Sequence, residues 1–238
     1  MKLDILIFAA HPDDAELGCA GTILKHIALG YKVGIVDLTK GELGTRGTPQ
    51  TRLEESASAA KILNLSAREN LGFADGFFSD SQEECLKIIE QIRYFQPDIV
   101  ICNSPQDRHP DHGKGNNLIV KASFLSGLRK IETTYNDIIQ EPWRAKNIYS
   151  YIQDQYIKPD FVIDVSPFWE TKKESIYAYK SQFWDPESSE PASYISSLEF
   201  IEFIEARSKE MGHSIGVKHG EGFIKHSQLA VNNLFDIQ

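Results

Sequence analysis

Residues 11 to 16 read His-Pro-Asp-Asp-Ala-Glu, so His11, Asp13, Asp14 and Glu16 place one imidazole and three carboxylates within six positions. A second segment, "DRHPDH" at 107–112, repeats the chemistry with His109, Asp111 and His112. Imidazoles and carboxylates are ligands for a divalent metal and the commonest general acids and bases. Each segment also has a plainer reading. Asp13 and Glu16 have the spacing of a capping box, and a lone H-x-x-H in a polar loop is usually solvated. Two dense His/Asp clusters are harder to assign to helix capping twice.

The elements that must carry these residues follow from apolar patterning. The runs "LDILIFAA" (3–10), "KVGIVDLT" (32–39), "ENLGF" (69–73) and "DIVICNS" (98–104) read as buried parallel strands. Between them the spacing predicts helices from Asp14 to Leu29 closed by Gly30, from Gln50 to Leu63, and from Gln82 to Phe95 behind an N-cap Ser81. A fourth helix is expected near 114–130, strands at 147–153 and 159–165, and helices near 166–181 and 195–211. This alternation implies one α/β domain over residues 1–238, a Rossmann-like, doubly wound, mostly parallel sheet with helices on both faces.

In such a sheet His11 to Asp14 occupy the turn from the first strand into the first helix, and His109 to His112 follow the fourth strand. If strand four returns beside strand one, both loops meet at the carboxyl edge where strand order reverses. His11, Asp14 and His112 then make three ligands with an open fourth position, the pattern of a catalytic zinc site that activates water and polarises a carbonyl. Asp13 is left to take a proton. His109, held by Asp111, would stabilise an oxyanion or protonate a leaving amine. Spacing alone does not separate the roles of Asp13 and Asp14.

Composition narrows the substrate. The chain has 238 residues, 41% hydrophobic and 25% charged, with a formal net charge of −9, which opposes a nonspecific grip on nucleic acid or an anionic membrane. A small polar molecule fits better. Cys19, Cys85 and Cys102 form no C-x-x-C pair, so neither a disulfide framework nor a thiolate metal cage is indicated, and a reducing cytoplasm is the expected location. No apolar run reaches membrane-spanning length, and the N-terminal run is too short for a signal peptide. The first strand–helix turn lacks G-x-G-x-x-G, and its acids would repel a dinucleotide's pyrophosphate. A binding module that holds a sugar in a metal crevice without turnover is the alternative class; a spare base such as Asp13 argues against it.

"AHPDDAE" with "HPDH" resembles the LmbE/PIG-L superfamily of zinc-dependent N-acetylglucosamine deacetylases. The resemblance implies a Rossmann-like fold and one zinc per chain held by His11, Asp14 and His112. It also implies Asp13 as general base and His109 as the acid or electrostatic partner held by Asp111. "TKGELGTRGTPQTRLEE" (39–55), "GVKHGEGF" (216–223) and "VNNLF" (231–235) are similar to the bacillithiol-biosynthesis branch, which acts on N-acetylglucosaminyl malate. That branch usually has Tyr-Ala where this chain has His219 and Gly220, and His219 is expected at the surface. Homo-oligomers, often hexamers, are implied by the same resemblance.

Remaining signals concern the substrate. Arg46 and Arg52 in the glycine-rich segment after strand two, Arg108 beside the second cluster and Lys218 in the C-terminal motif are cations for a substrate carboxylate. The resemblance singles out Arg52 and also Tyr194. The segment 180–194 reads as a long loop of the kind that forms lids, with Phe183 and Trp184 as small-core anchors. His26, His213 and His226 have no partner pattern.

Overall fold

The computed structural model describes residues 1–236. Its first half alternates strand and helix: β1 (Ile5–Ala9), α1 (Asp14–Ala28), β2 (Val33–Thr39), α2 (Pro49–Leu63), β3 (Ala67–Phe73), α3 (Gln82–Phe95), β4 (Ile99–Cys102) and α4 (Pro110–Leu125). Then come a two-strand hairpin, β5 (Thr134–Tyr135) and β6 (Ile138–Ile139), followed by β7 (Asn147–Tyr151), β8 (Phe161–Asp164), α5 (Trp169–Tyr177), α6 (Leu198–Ser214) and β9 (Gly220–Lys225). The main sheet runs β3-β2-β1-β4-β7-β9-β8. Its first five strands are parallel, and β9 lies antiparallel between β7 and β8.

Every residue of β1 and β2 is buried, as continuous apolar runs covered on both faces require. Side chains alternate across β1. Leu6 and Phe8 join the core under α3 and α4 with Ile88, Ile92 and Leu118, whereas Ile5, Ile7 and Ala9 face α1 with Ile23 and Tyr151. A third cluster, Ala59, Ile176, Tyr179, Phe183 and Phe200, fixes α5 and α6 against α2.

β4 pairs with β1, Ile5 opposite Ile99 and Ile7 opposite Ile101, so strand order reverses between them as expected. Asn103 locks the reversal point: its Oδ1 accepts the Ala10 N–H at 2.8 Å, joining the ends of both strands. Helix starts follow their caps. Thr48 accepts from the Thr51 N–H with Pro49 behind it, and Ser81 accepts from the Glu84 N–H.

The second half departs further from the sequence reading. The helix expected near 114–130 begins at Pro110, because His109 caps it, and the one near 166–181 is a single 3-10 turn, Ser166–Phe168, followed by the shorter α5. The last helix runs to Ser214, and β9 and the hairpin were not foreseen. β9 carries glycines that weaken strand propensity, yet they are needed. A Cβ on Gly220 would lie 2.7 Å from Val162 and 2.8 Å from the Gly212 nitrogen, so glycine lets β9 approach α6. Among the described residues no helix is long and apolar enough to cross a membrane.

Candidate metal centre and active site

The two loops converge where predicted, at the carboxyl ends of β1 and β4. His11, Asp13, Asp14 and His112 are all buried, and they line one cavity of about 370 Å³ together with Arg46, Arg52, Asp75, Arg108, His109 and Tyr194.

Asp14 stands between the two imidazoles. Its Oδ2 is 3.4 Å from His11 Nδ1, and its Oδ1 is 3.2 Å from His112 Nε2. The carboxylate is fixed by the His11 and Asn103 N–H groups on Oδ2, both at 2.9 Å, and by Gln153 Nε2 on Oδ1 at 2.8 Å. Each imidazole has a second carboxylate on its far nitrogen. Asp75 Oδ1 is 3.0 Å from His11 Nε2, and Asp107 Oδ2 is 2.5 Å from His112 Nδ1. A carboxylate only accepts, so the far nitrogens are held as donors; against the cost of burial, the surrounding carboxylates raise the proton affinity of both rings, and a metal cation on the near nitrogens, His11 Nδ1 and His112 Nε2, would take the place of the protons that face Asp14.

That arrangement fits a zinc ion. Zinc bonds of about 2.0–2.2 Å put two tetrahedral ligand atoms about 3.3–3.6 Å apart, close to both contacts of Asp14, one through each of its oxygens. An imidazole backed by a carboxylate on its outer nitrogen is the usual second shell of a zinc histidine. Charge balance agrees: the carboxylates of Asp13, Asp14, Asp75, Asp107 and Asp111 crowd the cluster against the cations Arg52 and Lys114. Two sets of ligand atoms lie within 4.8 Å of one another, His11 with His109 and His112, and His11 with Asp75 and Asp111; Asp14 belongs to neither set and meets the two imidazoles through different oxygens.

Asp13 is not a helix cap. It occupies the N-cap position of α1 with φ 112° and makes no side-chain cap bond, and this left-handed backbone is costly for a residue with a Cβ. Its carboxylate turns away to Arg52 Nη2 at 2.9 Å. Burial pushes the Asp13 carboxyl up to about 7, with Arg52 opposing, which suits a proton acceptor at neutral pH. Glu16, the other half of the supposed box, is buried and bound to Arg68 at 2.5 Å and to the Tyr179 hydroxyl at 3.1 Å. Both capping readings therefore fall.

His109 stands beside the ligands, its ring centroid 4.6 Å from that of His11. The expected support from Asp111 is not made by its side chain. The Asp111 carboxylate accepts from the Gly76 N–H at 2.7 Å and Lys114 Nζ at 2.8 Å and lies 3.5 Å from His11 Nε2; only its backbone N–H reaches His109 Nδ1, at 3.3 Å. Asp111 thus braces His11. Burial, then the neighbouring His11 and His112, lower the affinity of His109 for a proton.

The expected substrate cations are placed unequally. Arg52 is held by Asp13, by the Pro12 carbonyl and by Gln182 Oε1 at 3.0 Å, so it positions the base. Arg46 lines the cavity, donating to the Phe183 carbonyl at 3.5 Å and to Ser188. Arg108 stacks on Tyr194 at 4.3 Å, and both bind the rim carboxylate of Asp154, at 2.6 and 3.0 Å. Lys218 is exposed in the turn before β9 and does not line the cavity, so its assignment there fails. His219 is no surface residue either: it is 1% exposed and stacked on Trp169 at 4.4 Å, and it is Gly220 that lines the cavity. Phe183 is a buried anchor as expected, and Trp184 is exposed. Sequence reasoning missed Asp75, Asp107, Asn103 and Gln153. Asp75 follows β3 and Asp107 follows β4, both at the same carboxyl edge, and that position was the available signal.

Comparison with known proteins agrees with this geometry. The profile of the family PIG-L: GlcNAc-PI de-N-acetylase matches residues 6–123. Diacetylchitobiose deacetylase of Thermococcus kodakarensis is 29% identical over 201 residues, covering 76% of this chain and 73% of that protein. The probable N-acetyl-α-D-glucosaminyl L-malate deacetylase 2 of Bacillus subtilis is 25% identical over 195 residues, 76% of this chain and 84% of that protein. The crystal structure of a conserved protein from Thermus thermophilus superposes with a TM-score of 0.85 at 36% identity, covering 97% of this chain and 98% of that one. The chain belongs to the PIG-L/LmbE family of deacetylases.

Proposed function

We propose that this protein hydrolyses the acetamide of an N-acetylglucosamine conjugate, with one zinc ion per chain held by His11, Asp14 and His112. The observation that carries the reading is the Asp14 carboxylate at 3.4 and 3.2 Å from two imidazoles whose outer nitrogens are each backed by a carboxylate. When bound, the metal supplies Lewis acidity toward the amide carbonyl and a water made acidic enough to attack. Asp13, buried and steered by Arg52, takes the proton from the attacking water. That same proton passes through His109, which stands beside His11 and His112, to the departing amine nitrogen as the C–N bond breaks. Asp75, Asp107 and Asp111 hold the ligand imidazoles in register.

Within that class, the glucosaminyl malate conjugate is the substrate we propose first. The motif at 39–55 and the relative from Bacillus subtilis support it, with Arg46 and Arg108 as the cavity cations for its carboxylates. A cytoplasmic homo-oligomer belongs to the same proposal. The test is release of free amine from N-acetylglucosaminyl malate and from free N-acetylglucosamine by zinc-loaded protein. Equal kcat/KM on the two would reject the malate assignment and leave a broader sugar deacetylase.

A further inference from the structure

The cavity that holds His11 and His112 is also lined by an apolar wall, the chamber side formed by Leu17 of α1, Ile195, and Phe200, Phe203, Ile204 and Met211 of α6. Polar groups border it, but each is already engaged. Lys172 and Glu221 pair at 2.6 Å; Lys172 also donates to the Leu17 carbonyl at 2.8 Å. Glu221 accepts the Gly21 and Thr22 N–H groups at 2.9 and 2.7 Å, which are freed by the kink in α1 at Cys19. Arg207 donates to the carbonyls of Gln153 and Asp154, and Ser208 reaches the Gly220 carbonyl and His219.

A sugar hydroxyl or a carboxylate entering this space would give up water to meet polar groups already paired with one another. A hydrocarbon segment would gain from every methylene it buried. The same cavity also carries the polar residues Arg46, Arg108 and Tyr194, and the Tyr194 ring packs edge-on against Phe200 at 5.3 Å where the two kinds of lining meet.

We infer that the chamber is a subsite for an apolar chain carried by the substrate, an inference that rests on the deacetylase reading and not on the malate assignment, whose substrate carries no such chain. Such a chain has two sources, the acyl group of the amide or an alkyl group on the sugar's anomeric oxygen. Two substrate series separate them: N-acyl glucosamines from acetyl to hexanoyl, and alkyl glycosides of N-acetylglucosamine from methyl to hexyl. One series gains about fourfold in kcat/KM per buried methylene, and the rising series identifies the end that enters. In Ile204→Asn the gradient flattens towards one. Thermal unfolding of the variant checks that α6 stays packed, and Met211→Asn provides a second reading should the first variant fail to fold.

A non-hydrolysable probe makes the result independent of turnover. Hexyl β-D-glucopyranoside, titrated calorimetrically into the zinc-loaded protein, binds with a negative heat-capacity change that Ile204→Asn reduces. Rates flat or falling along both series would overturn the subsite, as would no binding of the hexyl probe where the glycoside series rises. Release of no amine from any substrate while the hexyl probe still binds would sink the deacetylase reading and keep the chamber.

Discussion

The Asp107 carboxylate lies 2.5 Å from Nδ1 of His112, while Nε2 of the same ring faces Asp14 at 3.2 Å. Asp107 thereby fixes the orientation of the ring and would keep the proton on Nδ1 when a metal takes Nε2. Asp107→Ala is expected to weaken zinc binding about 10- to 100-fold, and Asp75→Ala to do the same through His11. Competition with a chromophoric chelator measures this directly. Unchanged affinity in both variants would remove the carboxylates from the metal's support.

Replacing a ligand has a larger effect than replacing its support. His11→Ala, Asp14→Ala and His112→Ala should each leave the protein without bound zinc by elemental analysis. In the unsubstituted protein chelation should abolish activity, and one equivalent of zinc per chain should restore it. Full occupancy in all three variants would sink the ligand assignment.

Asp13→Asn separates base from ligand. The amide still accepts from Arg52, so fold and metal are expected to persist, while kcat falls by roughly 100-fold or more with the loss of general-base catalysis. Normal turnover with intact zinc would leave the strained Asp13 backbone without a catalytic explanation.

The charged half of the proposed malate substrate is read through Arg46. A charge-assisted contact is worth about 1.5–3 kcal/mol, so the malate conjugate should outperform free N-acetylglucosamine by roughly ten- to a hundredfold in kcat/KM. Arg46→Met should bring that ratio towards one. An undiminished ratio in Arg46→Met would move the preference to Arg108 at the rim.

Glu221 joins Lys172 to the kinked helix α1, with both side chains buried. Breaking such a pair leaves an uncompensated charge and costs about 3–5 kcal/mol. Glu221→Ala should lower the urea midpoint accordingly, and adding Lys172→Met should recover part of the loss. A shift of under about 1 kcal/mol in the single variant would show that water reaches Lys172.

The sequence carried the parallel half of the sheet because its strands are buried on both faces and their apolar runs stand out. β1 and β4 were readable as neighbours, and with them the meeting of His11, Asp14 and His112. β9 was not, since Gly220 and Gly222 are there for close approach to α6 and to Pro159, a constraint that only packing creates. For the same reason His219 looked like a surface residue when it fills a slot against Trp169. Asp13 and Glu16 matched a capping box in spacing alone. Arg52 and Arg68, on elements 39 and 52 residues away, redirect the two carboxylates. Lys218 shared a motif with cavity residues but lies outside the cavity, because it sits exposed in the turn that leads into β9.

The central claim is zinc-dependent amide hydrolysis on an N-acetylated glucosamine, and free-amine release by the zinc-loaded protein measures it most directly. The account predicts amine and acetate in equal amounts from N-acetylglucosamine and, faster, from its malate conjugate, with the signal lost in Asp13→Asn and after chelation. No amine from either substrate at full zinc occupancy, or a rate indifferent to chelation, would contradict it.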